Sequence, residues 1–191
     1  MAVASLTTQQ LADEFVGAAH GDMRKVKDLL ARQSSLLYTR ATWDETALGA
    51  AAHVGQRDIA VFLLSVGAPM DICTAAMLGM LQRVRQFLRA NPALANATGA
   101  HGLPVLFHAA LGGHVEVAEL LVAAGASVAD VGNAALFGAI RGNQPAMLAW
   151  LLSHGADANA AGSDGTTPLV VAHELGHARV AELLVRSGVG A

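Results

Sequence analysis

The chain has 191 residues, which suits one domain or one continuous solenoid. Hydrophobic residues make up 53% and charged residues 14%, a balance that excludes an intrinsically disordered chain. A net charge of −3 gives no basic surface for nucleic acid, and every long apolar run is broken by a charge, Gly or Pro, so no membrane span is expected.

The N-terminal segment MAVASLTTQQLADEF has no basic stretch leading into an apolar one, so no secretory leader is expected. A first helix is predicted from Thr7, with Gln10 completing a capping box. Thr8, Gln9, Asp13 and Glu14 keep that end polar, as a terminal repeat requires. A glycine turn at Gly21 leads to Val26, Leu29 and Leu30. A projecting finger follows near 34–45, with Trp43 at its tip beside Tyr38. The second unit turns at Gly55, and a tight link is expected near 68–71. The third turns at Gly79, and its Arg83, Arg85 and Arg89 read as a solvated outer face. Asn91-Pro92, Gly99 and Gly102 mark a second finger near 91–103. The fourth unit turns at Gly113, with a tight loop expected near 127–132, where Gly132-Asn133 reads as loop. The fifth turns at Gly142, Pro145 falls in the first turn of its second helix, and a third finger follows near 157–166. The sixth turns at Gly176. Arg179, Glu182 and Arg186 face solvent there, but so do Val170, Val171 and Val189, so a monomer with weak self-association through this end is expected.

These glycines are 34, 24, 34, 29 and 34 residues apart. Each carries apolar residues at plus five, eight and nine, a spacing that places all three on one helix face. The sets are Val26/Leu29/Leu30, Ala60/Leu63/Leu64, Val84/Phe87/Leu88, Ala118/Leu121/Val122, Met147/Trp150/Leu151 and Ala181/Leu184/Val185. Small residues precede the turns, as in Ala51-Ala52, Ala75-Ala76, Ala109-Ala110 and Gly138-Ala139, and let a second helix approach its neighbours closely. The predicted fold is all-α: six stacked helix–turn–helix repeats, near 5–37, 38–68, 69–96, 97–127, 128–158 and 159–191, with fingers of alternating length.

Residues 164–188, DGTTPLVVAHELGHARVAELLVRSG, resemble an ankyrin repeat. Thr167-Pro168-Leu169 matches the start of its TPLH stretch, and Gly176-His177 its Gly-His turn. Residues 101–126 are nearly as close, with Gly113-His114 at the turn. Unit two keeps only Thr46-Ala47-Leu48, and unit three has Met80 where His is usual. The resemblance covers almost the whole chain. It implies an ankyrin-like stack whose inner helices and fingers line a concave groove, and a habit of binding other proteins. It also implies that His114 and His177 brace the repeats through backbone hydrogen bonds.

Catalytic constellations are absent from the sequence: no Gly-rich phosphate loop, no G-x-S-x-G and no H-E-x-x-H. The eight histidines read as scattered, so neither metal nor cofactor is expected. Cys73 is the one cysteine; it reads as an inert packed thiol and suits a reducing, cytoplasmic compartment. Ten Arg against two Lys, with abundant Ala, suggest a bacterial source. Counting five, two and one residues before each glycine gives a groove-facing strip. Its centre reads Met77, Leu78, Leu111, Phe137 and Ile140, bordered by His53, His108 and Arg141. An apolar patch with a polar rim is the anatomy of a protein-binding site. Trp43 is a further anchor candidate on the first finger. The expected function is therefore protein–protein recognition without catalysis. A small-molecule- or metal-responsive regulator built on central His and Met residues is the alternative.

Overall fold

The computed structural model describes residues 7–162 and 164–188; the leader expectation and Val189 lie outside these. The described residues form helix–turn–helix pairs. The inner helices are α1 (Thr8–Ala18), α3 (Ala47–His53), α5 (Ile72–Met77), α7 (Val105–Gly112), α9 (Val128–Arg141) and α11 (Pro168–Glu174). Their outer partners are α2 (Met23–Arg32), α4 (Arg57–Ser65), α6 (Leu81–Ala90), α8 (Val115–Ala123), α10 (Pro145–Ser153) and α12 (Ala178–Arg186). Each inner helix packs on the next in chain order. Among the described residues there is no strand; isolated bridges Arg40–Thr46 and Thr98–Pro104 close the first two fingers. The all-α solenoid of six stacked pairs is the observed architecture.

Side chains cap most inner helices. Thr7, Thr46, Asp71, Ser127 and Thr167 each accept a backbone N–H from the first turn, typically worth about 1 kcal/mol apiece. The Thr7–Gln10 capping box is made in both directions, at 3.2 and 2.8 Å. The small-residue ladder is fully packed: Ala51, Ala75, Ala76, Ala109, Ala110 and Ala139 expose nothing. The core forms two clusters. One spans the first two repeats and reaches Met77, Leu78, Phe107 and Leu111; the other runs from Ile72 to Leu184.

Gly55, Gly79, Gly113 and Gly176 sit at positive φ, as a helix ending in a left-handed residue requires. In each case the next amide reaches five residues back, as in His114 N–H to Ala109 O (3.0 Å). The fifth repeat departs from the expected phase. Gly142 has φ −78, whereas Asn143 has φ 52 and Gln144 N–H bonds Ala139 O at 2.8 Å. The turn residue is therefore Asn143. The plus five, eight and nine set becomes Leu148/Leu151/Leu152, and Trp150 is half-buried rather than central to the core. Gly21, in the first repeat, also lacks a positive φ; there the Asp22 carboxylate caps α2.

The expected loop near 127–132 is helical. Ser127 caps α9, which starts at Val128, and Gly132 and Asn133 lie inside it. Gly132 is small for a packing reason, because a Cβ there would crowd Val128 and Ala156. The link at Ala68–Asp71 is tight, as expected. The first two fingers open where α2 and α6 end without glycine, at extended Gln33 and Asn91, and continue as 3₁₀ turns Ser34–Tyr38 and Pro92–Asn96.

Candidate functional site

Most of the predicted strip is not surface. Met77 is 3% exposed, Leu78 4%, His108 1%, Leu111 7% and Ile140 0%. The reason is the closeness of the inner helices. With alanines at their contacts, the side chains of Met77, Leu78, His108 and Leu111 fill the space between neighbours instead of facing the groove. Leu111 reaches past the short α5 to lie against Gly55. Ile140 is buried for a second reason: with the turn at Asn143, it occupies the small-residue ladder.

Phe137, Arg141, His53 and Trp43 remain accessible. Phe137 is half-buried and Arg141 exposed. Together with Leu103, Phe107, Val171 and Asp164 they line a cleft of about 370 Å³ between α7, α9, α11 and the third finger. Asp164 is engaged: its carboxylate accepts from Thr166 N–H at 2.9 Å, which, with lesser help from Arg141, lowers its pKa. Arg141 makes no ion pair among the described residues. Trp43 is 47% exposed, and its indole N–H donates to Glu45 Oε2 at 2.9 Å.

A second constellation was not legible as such in the sequence. Glu45, at the base of the first finger, is only 3% exposed. Three imidazoles surround it. His53 Nδ1 lies 2.8 Å from Oε1, His20 Nε2 3.6 Å from Oε2 and His101 Nε2 3.8 Å from Oε2. The rings meet edge-on, His20 to His53 at 5.0 Å and His53 to His101 at 4.8 Å between centroids. Burial lowers the His53 pKa, Glu45 opposing it. The expectation of scattered histidines is thus corrected. His20 follows the end of α1, His53 closes α3 and His101 tips the second finger, so only stacking brings them together. The one available signal was that His20 and His53 occupy neighbouring places on the groove strip. Met77 and His108 take no part in this cluster.

The remaining candidates behave structurally. His114 Nε2 hydrogen-bonds Met77 O at 3.1 Å, and His177 Nδ1 hydrogen-bonds Ile140 O at 2.8 Å. Each braces a turn against the preceding repeat. Cys73 is buried, and desolvation pushes its thiol pKa far up. At the C-terminal end, Val170, Leu175 and Val185 are exposed. No described helix is long and apolar enough to cross a membrane.

Comparison with known proteins agrees with this architecture. A family description, "Ankyrin repeats (3 copies)", matches residues 72–161. An ankyrin repeat domain from Acinetobacter baumannii AYE is similar in structure, with a TM-score of 0.52 and 31% identity, covering 91% of this chain and 97% of that one. The ankyrin repeat and KH domain-containing protein mask-1 of Caenorhabditis elegans is 29% identical over 150 residues. The present chain spans only 5% of that protein's length. The chain belongs to the ankyrin repeat family, whose fold is generally a protein–protein interaction module rather than a catalytic one.

Proposed function

We propose that this chain is a recognition module that holds a segment of a protein partner in the cleft between α7, α9, α11 and the third finger, without catalysing a reaction. The observation that carries this reading is the pairing of a half-buried aromatic, Phe137, with an exposed cation, Arg141, that has no ion-pair partner among the described residues, in one cleft. An apolar anchor and a single charge give a partner both affinity and register. The fitting segment has an apolar side chain for the Phe137 slot and a carboxylate for Arg141. The inner helices meet at a fully buried alanine ladder, which supports docking to a preformed surface with little backbone movement.

Trp43, on the first finger, is a second contact for a longer partner. The buried strip residues Met77, Leu78, His108, Leu111 and Ile140 act by fixing the helix positions rather than by touching the partner. A reducing, cytoplasmic setting fits the single buried thiol. The exposed Val170, Leu175 and Val185 support weak self-association at high concentration. Capture of partner by the full chain, compared with Phe137→Ala and Arg141→Glu, tests the reading. Unchanged capture by both variants contradicts it.

A further inference from the structure

We infer that Glu45, His20, His53 and His101 form a binding site for one divalent transition-metal ion of the zinc type, independent of the partner cleft. The chemistry of hydrogen placement leads there. His20 Nδ1 lies 3.2 Å from the Val16 and Gly17 carbonyl oxygens, which only accept hydrogen bonds. Nδ1 therefore carries the proton, and in the neutral ring the Nε2 lone pair faces Glu45 Oε2. Two lone-pair atoms in that arrangement attract only when a cation lies between them.

The distances suit a bridging metal ion better than a hydrogen-bonded proton. Glu45 Oε2 is 3.6 Å from His20 Nε2 and 3.8 Å from His101 Nε2, too long for hydrogen bonds. Two ligands of a tetrahedral zinc, each about 2.1 Å from the ion, stand about 3.4 Å apart. The His20, Glu45 and His53 donor atoms all lie within 4.8 Å of one another. Slight closure around an ion brings them into range.

His53 Nδ1 faces two acceptors, Glu45 Oε1 at 2.8 Å and the Gly49 carbonyl at 3.3 Å. Its proton lies between them, so an ion takes the place beside Oε1 by displacing that proton, as metal binding to imidazole does. The surrounding bonds are those that orient metal ligands. His20 is held by backbone carbonyls and Glu45 by the Trp43 indole N–H. His101 completes the set from a left-handed backbone (φ 55), a conformation uncommon outside glycine that aims the ring back at Glu45. Imidazole nitrogens with one carboxylate favour zinc, cobalt or nickel over calcium or magnesium. The ion would tie α1, α3 and the first two fingers together.

The test uses the full chain, stripped with chelator and titrated with Zn²⁺, followed by calorimetry and thermal melting. One equivalent is expected to bind and, at roughly a hundredfold excess over Kd, to raise Tm by about 5–10 °C. Co²⁺ should give the visible bands of a tetrahedral site. His20→Ala and Glu45→Gln should each weaken binding at least about 10-fold, while His154→Ala, on the outer layer, leaves it unchanged. Because Glu45 is buried and its variant can unfold, the half-exposed His20→Ala is the decisive one. No saturable binding, binding unaltered by His20→Ala, or stabilisation that follows acidification and ignores Zn²⁺ would each overturn the inference.

Discussion

The α-carbon of Gly142 lies against the carbonyl oxygen of Leu111, leaving no room for a Cβ. Gly112 stands in the same relation to the carbonyl of Met77. In both repeats the residue just before the turn must be glycine because an inner-helix carbonyl of the preceding repeat occupies the space. The turn itself is made by the next residue, Gly113 in one case and Asn143 in the other.

This relationship separates two neighbouring positions. Gly142→Ala should overpack the α7–α9 contact and cost about 1–3 kcal/mol. Asn143→Gly, at φ 52, should be neutral or slightly stabilising, because glycine accepts left-handed backbone without strain. Denaturant melts of the two variants check this. The opposite ranking would return the turn to Gly142.

Acid should destabilise the protein through its buried histidines. Burial lowers the His108 pKa, and His53 reinforces this; the Pro104 carbonyl and Asp71 oppose it. His114 is lowered by burial as well. The unfolded chain then binds more protons than the native one below about pH 6.5. Stability from these groups is full above that value and falls as pH drops through it. In metal-free protein, His108→Gln should give a shallower decline between about pH 7 and 5. An unchanged slope in denaturant midpoints would remove His108 from the account.

Cys73 should be silent in the folded state. Its thiol is buried, and desolvation raises its pKa, so little thiolate forms at neutral pH. Alkylating reagent should label it only in denaturant, at a rate set by unfolding. Rapid labelling of native protein would contradict the packing around α5.

The repeating fold was legible because it is written locally. Turn glycines, the helix-period triples and the Thr7 cap each act within one repeat. The one-residue shift at Asn143 was not, since Gly142 looks like a turn glycine and the carbonyl that demands it belongs to another repeat. The helical start of α9 was hidden by Gly132, whose smallness answers to Ala156 rather than to a loop. The groove was legible only in part. Counting from the turn placed Phe137 and Arg141 at an accessible face, but it gave the same rank to Leu111 and Ile140, which contacts between adjacent inner helices bury. Glu45 and its three histidines come from four separate segments, and beyond the groove-strip places of His20 and His53 no spacing in the chain announces them.

The central claim is that the cleft around Phe137 and Arg141 recognises a protein partner while the residues beneath it hold the stack. Partner capture beside thermal melting, for Phe137→Ala, Arg141→Glu and the core variant Leu88→Ala, tests it most directly. Leu88→Ala should cost about 2–5 kcal/mol through cavity formation and leave capture by the still-folded protein intact. Arg141→Glu should melt like the parent and lose capture; Phe137→Ala should lose capture with a smaller stability cost than Leu88→Ala. Folded Arg141→Glu and Phe137→Ala proteins that capture the partner as the parent does would contradict the claim and move the binding surface to the fingers, beginning with Trp43.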